Sequence, residues 1–125
     1  MGVIRHFREL QVYRDAMEAA MNLFELSKSF PCEEKYSLTD QMRRSSRSVC
    51  ANLAEAWRKR RYPKSFVSKL SDAEAEAAET QVWIEFARKC EYLATTRADD
   101  LDGRYENIQG KIINMLTHPD KWTIS

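Results

Sequence analysis

Apolar residues recur along this chain by threes and fours, and four segments carry the pattern. Over residues 7–29, Val12, Ala16, Ala19, Leu23 and Leu26 form one row, and Phe7, Leu10, Tyr13, Met17, Ala20 and Phe24 form a second. Two such rows predict a helix apolar on more than one face. Phe30-Pro31 ends it, because the residue before a proline is driven out of the helical region. The second segment, 38–60, has a thinner row of Leu38, Met42, Val49, Leu53 and Ala56, with Ser46 in one slot. Small Ser and Ala side chains there let a neighbouring helix come close. Ser37 and Asp40 stand at capping-box spacing, with Asp in place of Glu.

Tyr62-Pro63 interrupts, and Pro63 suits the first turn of a third helix over 63–93, about 45 Å long at the usual rise. Its first row is Phe66, Leu70, Ala73, Ala77, Ile84 and Ala87. A second comprises Val67, Ala75, Ala78, Val82, Phe86, Cys90 and Leu93, and Lys69, Asp72, Glu76 and Glu79 form the polar stripe. An apolar arc this wide is buried on two sides, which in so small a protein predicts that one side meets another subunit. The fourth helix, 98–116, carries Leu101, Tyr105, Ile108, Ile112 and Met115, and Gly103 and Gly110 each cost it about 1 kcal/mol relative to Ala. Thr117-His118-Pro119 stops it, and a loose tail is expected beyond. Four helices with short connections predict an all-α, antiparallel up-down-up-down four-helix bundle. It is a single domain over 1–125 with its ordered core at about 7–117.

A chain of 125 residues has room for one core. Its three Gly and three Pro, among many Ala, Glu, Lys, Arg and Leu, agree with helices rather than strands. No apolar run reaches membrane-spanning length and MGVIRHFREL is no signal peptide, so a cytoplasmic, membrane-free protein is expected. Gly2 follows Met1, but His6 stands where a myristoylation signal has Ser or Thr. Cys32, Cys50 and Cys90 are odd in number and widely spaced, against a disulfide framework. No CxxC or HExxH spacing occurs, so neither a metal nor a cofactor is expected.

Charge changes the picture more than composition does. Residues 35–70 hold ten basic and two acidic side chains, a local +8 in a chain whose net charge is +1. Within RRSSRSVCANLAEAWRKRR, residues 43–61, Arg43, Arg44 and Arg47 gather within one turn. Arg58, Lys59, Arg60 and Arg61 crowd the helix end, with Lys64 just beyond. Three readings are open. Cations at a helix C-terminus stabilise it through the dipole by some tenths of a kcal/mol each. A dense basic patch also binds nucleic acid, with steep salt dependence, and Trp57 and Tyr62 flank it as possible stacking rings. For Trp57 a core or interface place is the preferred reading. Thirdly, the basic end of the second helix complements the acids Asp72, Glu74, Glu76 and Glu79 that open the third, which suits contacts between subunits.

The row Gln41, Arg44, Ser48, Asn52, Glu55 and Lys59 resembles a polar catalytic stripe with Glu55 as base. It has no nucleophile–base pair, phosphate loop or second carboxylate in register. Polar groups bonded across a helix interface explain it more simply, and no enzyme is expected.

These positions carry a resemblance. Phe7-Leu10-Val12-Tyr13 with Ala16, Phe30-Pro31, Glu34 through Leu38, Gln41-Met42-Arg43-Arg44 and Ser48 followed by Asn52-Leu53-Ala54-Glu55 match one pattern. Lys64, Phe66, Leu70, Ala75-Glu76, Thr80-Gln81 and Tyr92-Leu93 continue it. The chain resembles the four-helix-bundle proteins encoded in intervening sequences of bacterial 23S rRNA genes and their free-standing relatives. The resemblance implies a cytosolic helical bundle without known catalytic activity that assembles into a homo-oligomeric ring, typically a pentamer. Relatives include accessory proteins of diversity-generating retroelements, which bind nucleic acid and a reverse transcriptase through basic surfaces. Carried over, Arg43, Arg44 and Arg47 stand where the family's basic run follows Gln41. Two departures bear on subunit packing. Ala56-Trp57 replaces a common Gly-aromatic pair, and Asp72-Ala73-Glu74-Ala75 occupies the place of a Gly-Ser pair. The expectation is therefore a non-enzymatic oligomer binding RNA, or else DNA, through Arg43, Arg44, Arg47, Arg58, Lys59, Arg60, Arg61 and Lys64. The alternative is an adaptor that grips another protein and has no nucleic-acid role.

Overall fold

The computed structural model describes residues 3–124; Gly2, considered above for lipidation, lies outside them. Four helices, α1 (Gln11–Ser27), α2 (Leu38–Arg58), α3 (Pro63–Lys89) and α4 (Thr95–Leu116), are joined by short connections. Each packs against its neighbours in chain order and α4 closes back onto α1, while no Cα atoms come within 8 Å across the α1–α3 and α2–α4 diagonals among the described residues. This is the expected up-down-up-down bundle.

The first apolar rows form the core. Val12, Ala16, Ala19 and Leu23 of α1 are buried, as are Met42, Val49, Leu53 and Ala56 of α2. All six members of the first α3 row, from Phe66 to Ala87, are buried too, and so are Leu101, Tyr105, Ile108, Ile112 and Met115 of α4. Small residues make α2–α3 the most extensive seam. Ser45, Ala73, Ala77 and Thr80 are buried, and the Ser45 and Thr80 hydroxyls meet across this seam at 2.8 Å. The second row divides: Ala75, Ala78, Val82, Phe86 and Cys90 are exposed, whereas Val67 is half-buried against the core and Leu93, beyond the end of α3, is buried. The bundle buries the first row and leaves the middle of the second exposed.

Several features differ from the sequence expectation, among them the start of α4, at Thr95 rather than Ala98. The first helix is broken at Leu10, a buried residue with extended backbone (φ −68°, ψ 127°), and a separate 3-10 turn, Phe7–Glu9, precedes α1. That turn is fixed by a reciprocal cap in which the His6 ring accepts from the Arg8 N–H and the Glu9 carboxylate from the His6 N–H. The Ser37 side chain does not cap α2. Glu34 takes that place, accepting weakly from the Leu38 N–H at 3.4 Å and from the Tyr92 hydroxyl at 3.0 Å. Next, α3 stops at Lys89 rather than Leu93. Glu91 is left-handed (φ 64°), the Tyr92 N–H bonds to the Ala87 carbonyl and the Glu91 N–H to that of Arg88, a Schellman stop without its usual glycine. Finally, the tail beyond Thr117 is not loose. Pro119–Lys121 forms a 3-10 turn, Trp122 packs on the core, and the Ile124 N–H bonds to the Arg60 carbonyl.

Candidate nucleic-acid interface

The basic run, continuous in sequence, is two groups in space. From Arg43 to Arg58 the α2 backbone rises about 22 Å, four turns, so the groups sit at opposite ends of the helix. At the first end Phe24 of α1 is the organising side chain. The Arg43 guanidinium lies 4.7 Å from its ring centroid, Arg47 at 5.8 Å and the Lys28 ammonium at 4.9 Å, within the reach of a cation–π attraction. Arg43 Nε also donates to the Ser27 hydroxyl at 2.8 Å. Lys28 is paired with Glu25; Arg43 and Arg47 face no carboxylate within 4 Å among the described residues.

Arg44, one position round, leaves this group. Its guanidinium reaches α3, where it pairs with Glu76 at 3.1 Å and with Glu79. Burial acts to lower its pKa, but these carboxylates outweigh it and the net direction is up. Of the eight candidate cations, Arg44 alone is in an ion pair among the described residues.

At the other end, Trp57 is buried, as expected of a core residue, and serves as a floor. Arg60 lies over it, with its guanidinium carbon 3.5 Å from the ring centroid and Nε donating to the Trp57 carbonyl at 2.8 Å. Burial, then the neighbouring Arg58 charge, lower the Arg60 pKa from its ordinary value, the mark of crowded cations without counter-ions. Arg58, Lys59, Arg61, Tyr62 and Lys64 are exposed. Tyr62 is thus an open ring beside the basic end, whereas Trp57 is not.

A group of acids lies between α3 and α4. Glu85, Asp99, Asp102 and Glu106 line a groove of about 470 Å³ between α3 and α4. Burial, then repulsion from Glu106, Asp99 and Glu85, raises the Asp102 pKa. Four carboxylates and the single cation Arg88 leave this groove net negative, whereas α2 is net positive.

The polar row of α2 holds the structure together. Gln41 accepts from Arg44 at 3.3 Å, Asn52 donates to the Ser48 carbonyl and hydroxyl, and Glu55 pairs with Lys69 of α3 at 3.4 Å. Among the described residues no three His, Cys, Asp or Glu side chains are arranged to hold a metal, and no helix is long and apolar enough to cross a membrane. Sequence reasoning missed Phe24 and Lys28, because Phe24 reads as one more apolar row member and the cations it gathers come from two helices.

A family model described as the 23S rRNA-intervening sequence protein matches residues 8–114. The chain belongs to this family. The resemblance read at Gln41 through Glu55 is thereby borne out. A solved structure of the S23 ribosomal protein family is also similar, a protein of unknown function from Bacteroides thetaiotaomicron VPI-5482. It is 27% identical, with a TM-score of 0.77 over 85% of this chain and 95% of that one. No curated protein matches. The intervening-sequence family is named for an RNA gene context, its description names no reaction, and the neighbour's function is unknown.

Proposed function

We propose that this 23S rRNA-intervening sequence family member is a non-catalytic, oligomeric nucleic-acid-binding protein, with RNA as the first ligand class. The observation that carries the proposal is the lack of carboxylate partners for Arg43, Arg47, Arg58, Lys59, Arg60, Arg61 and Lys64 among the described residues, while Arg44 alone of the basic run is paired. Uncommitted cations on one edge neutralise phosphates and release counter-ions, and Tyr62 offers a ring for an unpaired base. The exposed middle of the second α3 row supports self-association, and the proposed assembly is a ring of five. Repeated basic ends then strengthen a weak interaction through effective concentration.

Titration of labelled structured RNA at two salt concentrations tests the reading. Binding is expected to weaken steeply with salt. Replacing Arg58 to Arg61 with Gln is expected to lower the log–log salt slope by about one for each phosphate no longer neutralised. Absence of binding at low salt, or indifference to those replacements, rejects the basic end as a site. The acidic α3–α4 groove favours a second reading, an adaptor for a basic protein. A partner that co-purifies after complete nuclease digestion would select it.

A further inference from the structure

At the N-terminal end of α2, two cations of the basic run, Arg43 and Arg47, line a cleft. It encloses about 430 Å³ and is lined by Lys35, Tyr36, Thr39, Asp40, Arg43 and Arg47, with Arg44 at its edge already committed to α3. Two independent observations point to a ligand. Thr39 is 6% exposed, and its hydroxyl is buried with no hydrogen-bond partner, a state that burial normally penalises. Thr39 is among the residues that line the cleft. Lys35, Arg43 and Arg47, moreover, converge on the cleft with no carboxylate within 4 Å among the described residues. Their like charges are held in place by stacking: Arg43 and Arg47 on Phe24, and Lys35 on Tyr36 at 5.3 Å. The first-turn N–H groups of Thr39 and Asp40 add donors, for neither has an acceptor among the described residues, and the Ser37 side chain does not cap the helix.

We infer that this cleft binds the terminal phosphomonoester of a nucleic-acid strand. A terminal phosphate presents three free oxygens on one tetrahedral centre, and only one ester arm must leave the cavity. An internal diester must leave by two, and it suits the open cations at the other end of α2 instead. Asp40 is the single carboxylate in the lining; three uncommitted cations outweigh it and leave room for a dianion. Tyr36, 83% exposed at the rim, stands where the terminal base can stack. The inference rests on the nucleic-acid reading and narrows it to a strand end.

Fluorescence anisotropy of the full chain with one short single-stranded RNA, carrying a 5′-phosphate, a 3′-phosphate or hydroxyls at both ends, tests it, with AMP as competitor. At least one phosphorylated strand is expected to bind about tenfold tighter than the hydroxyl strand, as one or two charge-assisted hydrogen bonds supply. Thr39→Val should shrink that ratio while the melting temperature holds or rises. Arg43→Gln with Arg47→Gln should erase it. Replacing Arg58 to Arg61 with Gln should weaken all three strands together and keep the ratio. Equal affinity for the three strands overturns the cleft, whatever the overall affinity. AMP binding as tightly as the phosphorylated strand overturns the strand assignment in favour of a free nucleotide. Binding of the phosphorylated strands alone supports the cleft and tells against the basic end.

Discussion

The Ser45 hydroxyl of α2 donates to the Thr80 hydroxyl of α3 across 2.8 Å, and Thr80 in turn donates to the Glu76 carbonyl on its own helix at 2.8 Å. Both side chains are buried between α2 and α3. Thr80→Val strips Ser45 of its main acceptor, leaving a long 3.4 Å approach to the Met42 carbonyl. It should cost about 1–3 kcal/mol. Adding Ser45→Ala removes the orphaned group, so the double variant should be less destabilised than the two single changes summed. Urea unfolding of the four-member cycle measures this coupling, and strict additivity would show that the pair contributes nothing.

A second expectation concerns the end of α3. Glu91 holds a left-handed backbone (φ 64°) where helices usually place glycine. Glu91→Gly should stabilise the fold by about 1 kcal/mol. In α4 the opposite exchange applies. Gly110 is not left-handed, and a Cβ there meets nothing within 4 Å. Gly110→Ala should also add about 1 kcal/mol, and a rise of a few degrees in melting temperature for each variant checks both.

Cysteine reactivity and alkaline stability are linked. Cys50 is buried, and burial pushes its thiol up to about 11 from an ordinary 9.0. The hydrogen bond to the Glu34 carboxylate, then burial, pushes Tyr92 up to about 12 from 10.0. The folded chain holds both protons more tightly than the unfolded one. Their contribution is therefore whole below about pH 9 and is lost as pH rises toward 11 through Cys50 and from 10 toward 12 through Tyr92. Urea midpoints should fall across pH 9–12, with the first part of the fall missing in Cys50→Ala. A thiol reagent at pH 8 should label the exposed Cys32 and Cys90 quickly, and Cys50 only on unfolding.

The outward row of α3 gives the test of assembly. Val82 is 45% and Phe86 52% exposed on one chain. If copies meet there, Val82→Glu with Phe86→Glu should reduce the particle seen by light scattering to a single chain while helical content stays unchanged. A wild-type protein that scatters as one chain would dismiss the proposed ring.

Much of this architecture could be read from residue order alone, because it rests on periodicity. The row from Phe66 to Ala87 is buried throughout, and the Val82–Phe86 row is outside, as a helix with two apolar rows in a small bundle requires. What escaped the reading depends on contacts between distant positions. Glu34 rather than Ser37 meets the first N–H of α2, and nothing local announces that. The α3 stop was hidden because Glu91, not glycine, adopts the left-handed turn. The basic run looked like one patch because helical rise carries residues of one short stretch apart by whole turns. Arg44 was indistinguishable from Arg43 until Glu76 and Glu79 were placed beside it. The tail looked loose because no short-range pattern reports that Trp122 finds the core.

The stacking of Arg43 on Phe24 has a thermodynamic corollary. An unrestrained arginine that grips a ligand surrenders rotamer freedom at that moment, about 0.5–1.5 kcal/mol for each side chain immobilised. Here folding has already confined Arg43, half-buried, stacked on Phe24 and bonded to Ser27, whereas Arg58 and Arg61 are exposed and without such a stack. Calorimetry on chains retaining only one end of α2 should therefore find a smaller entropic penalty at the Phe24 end.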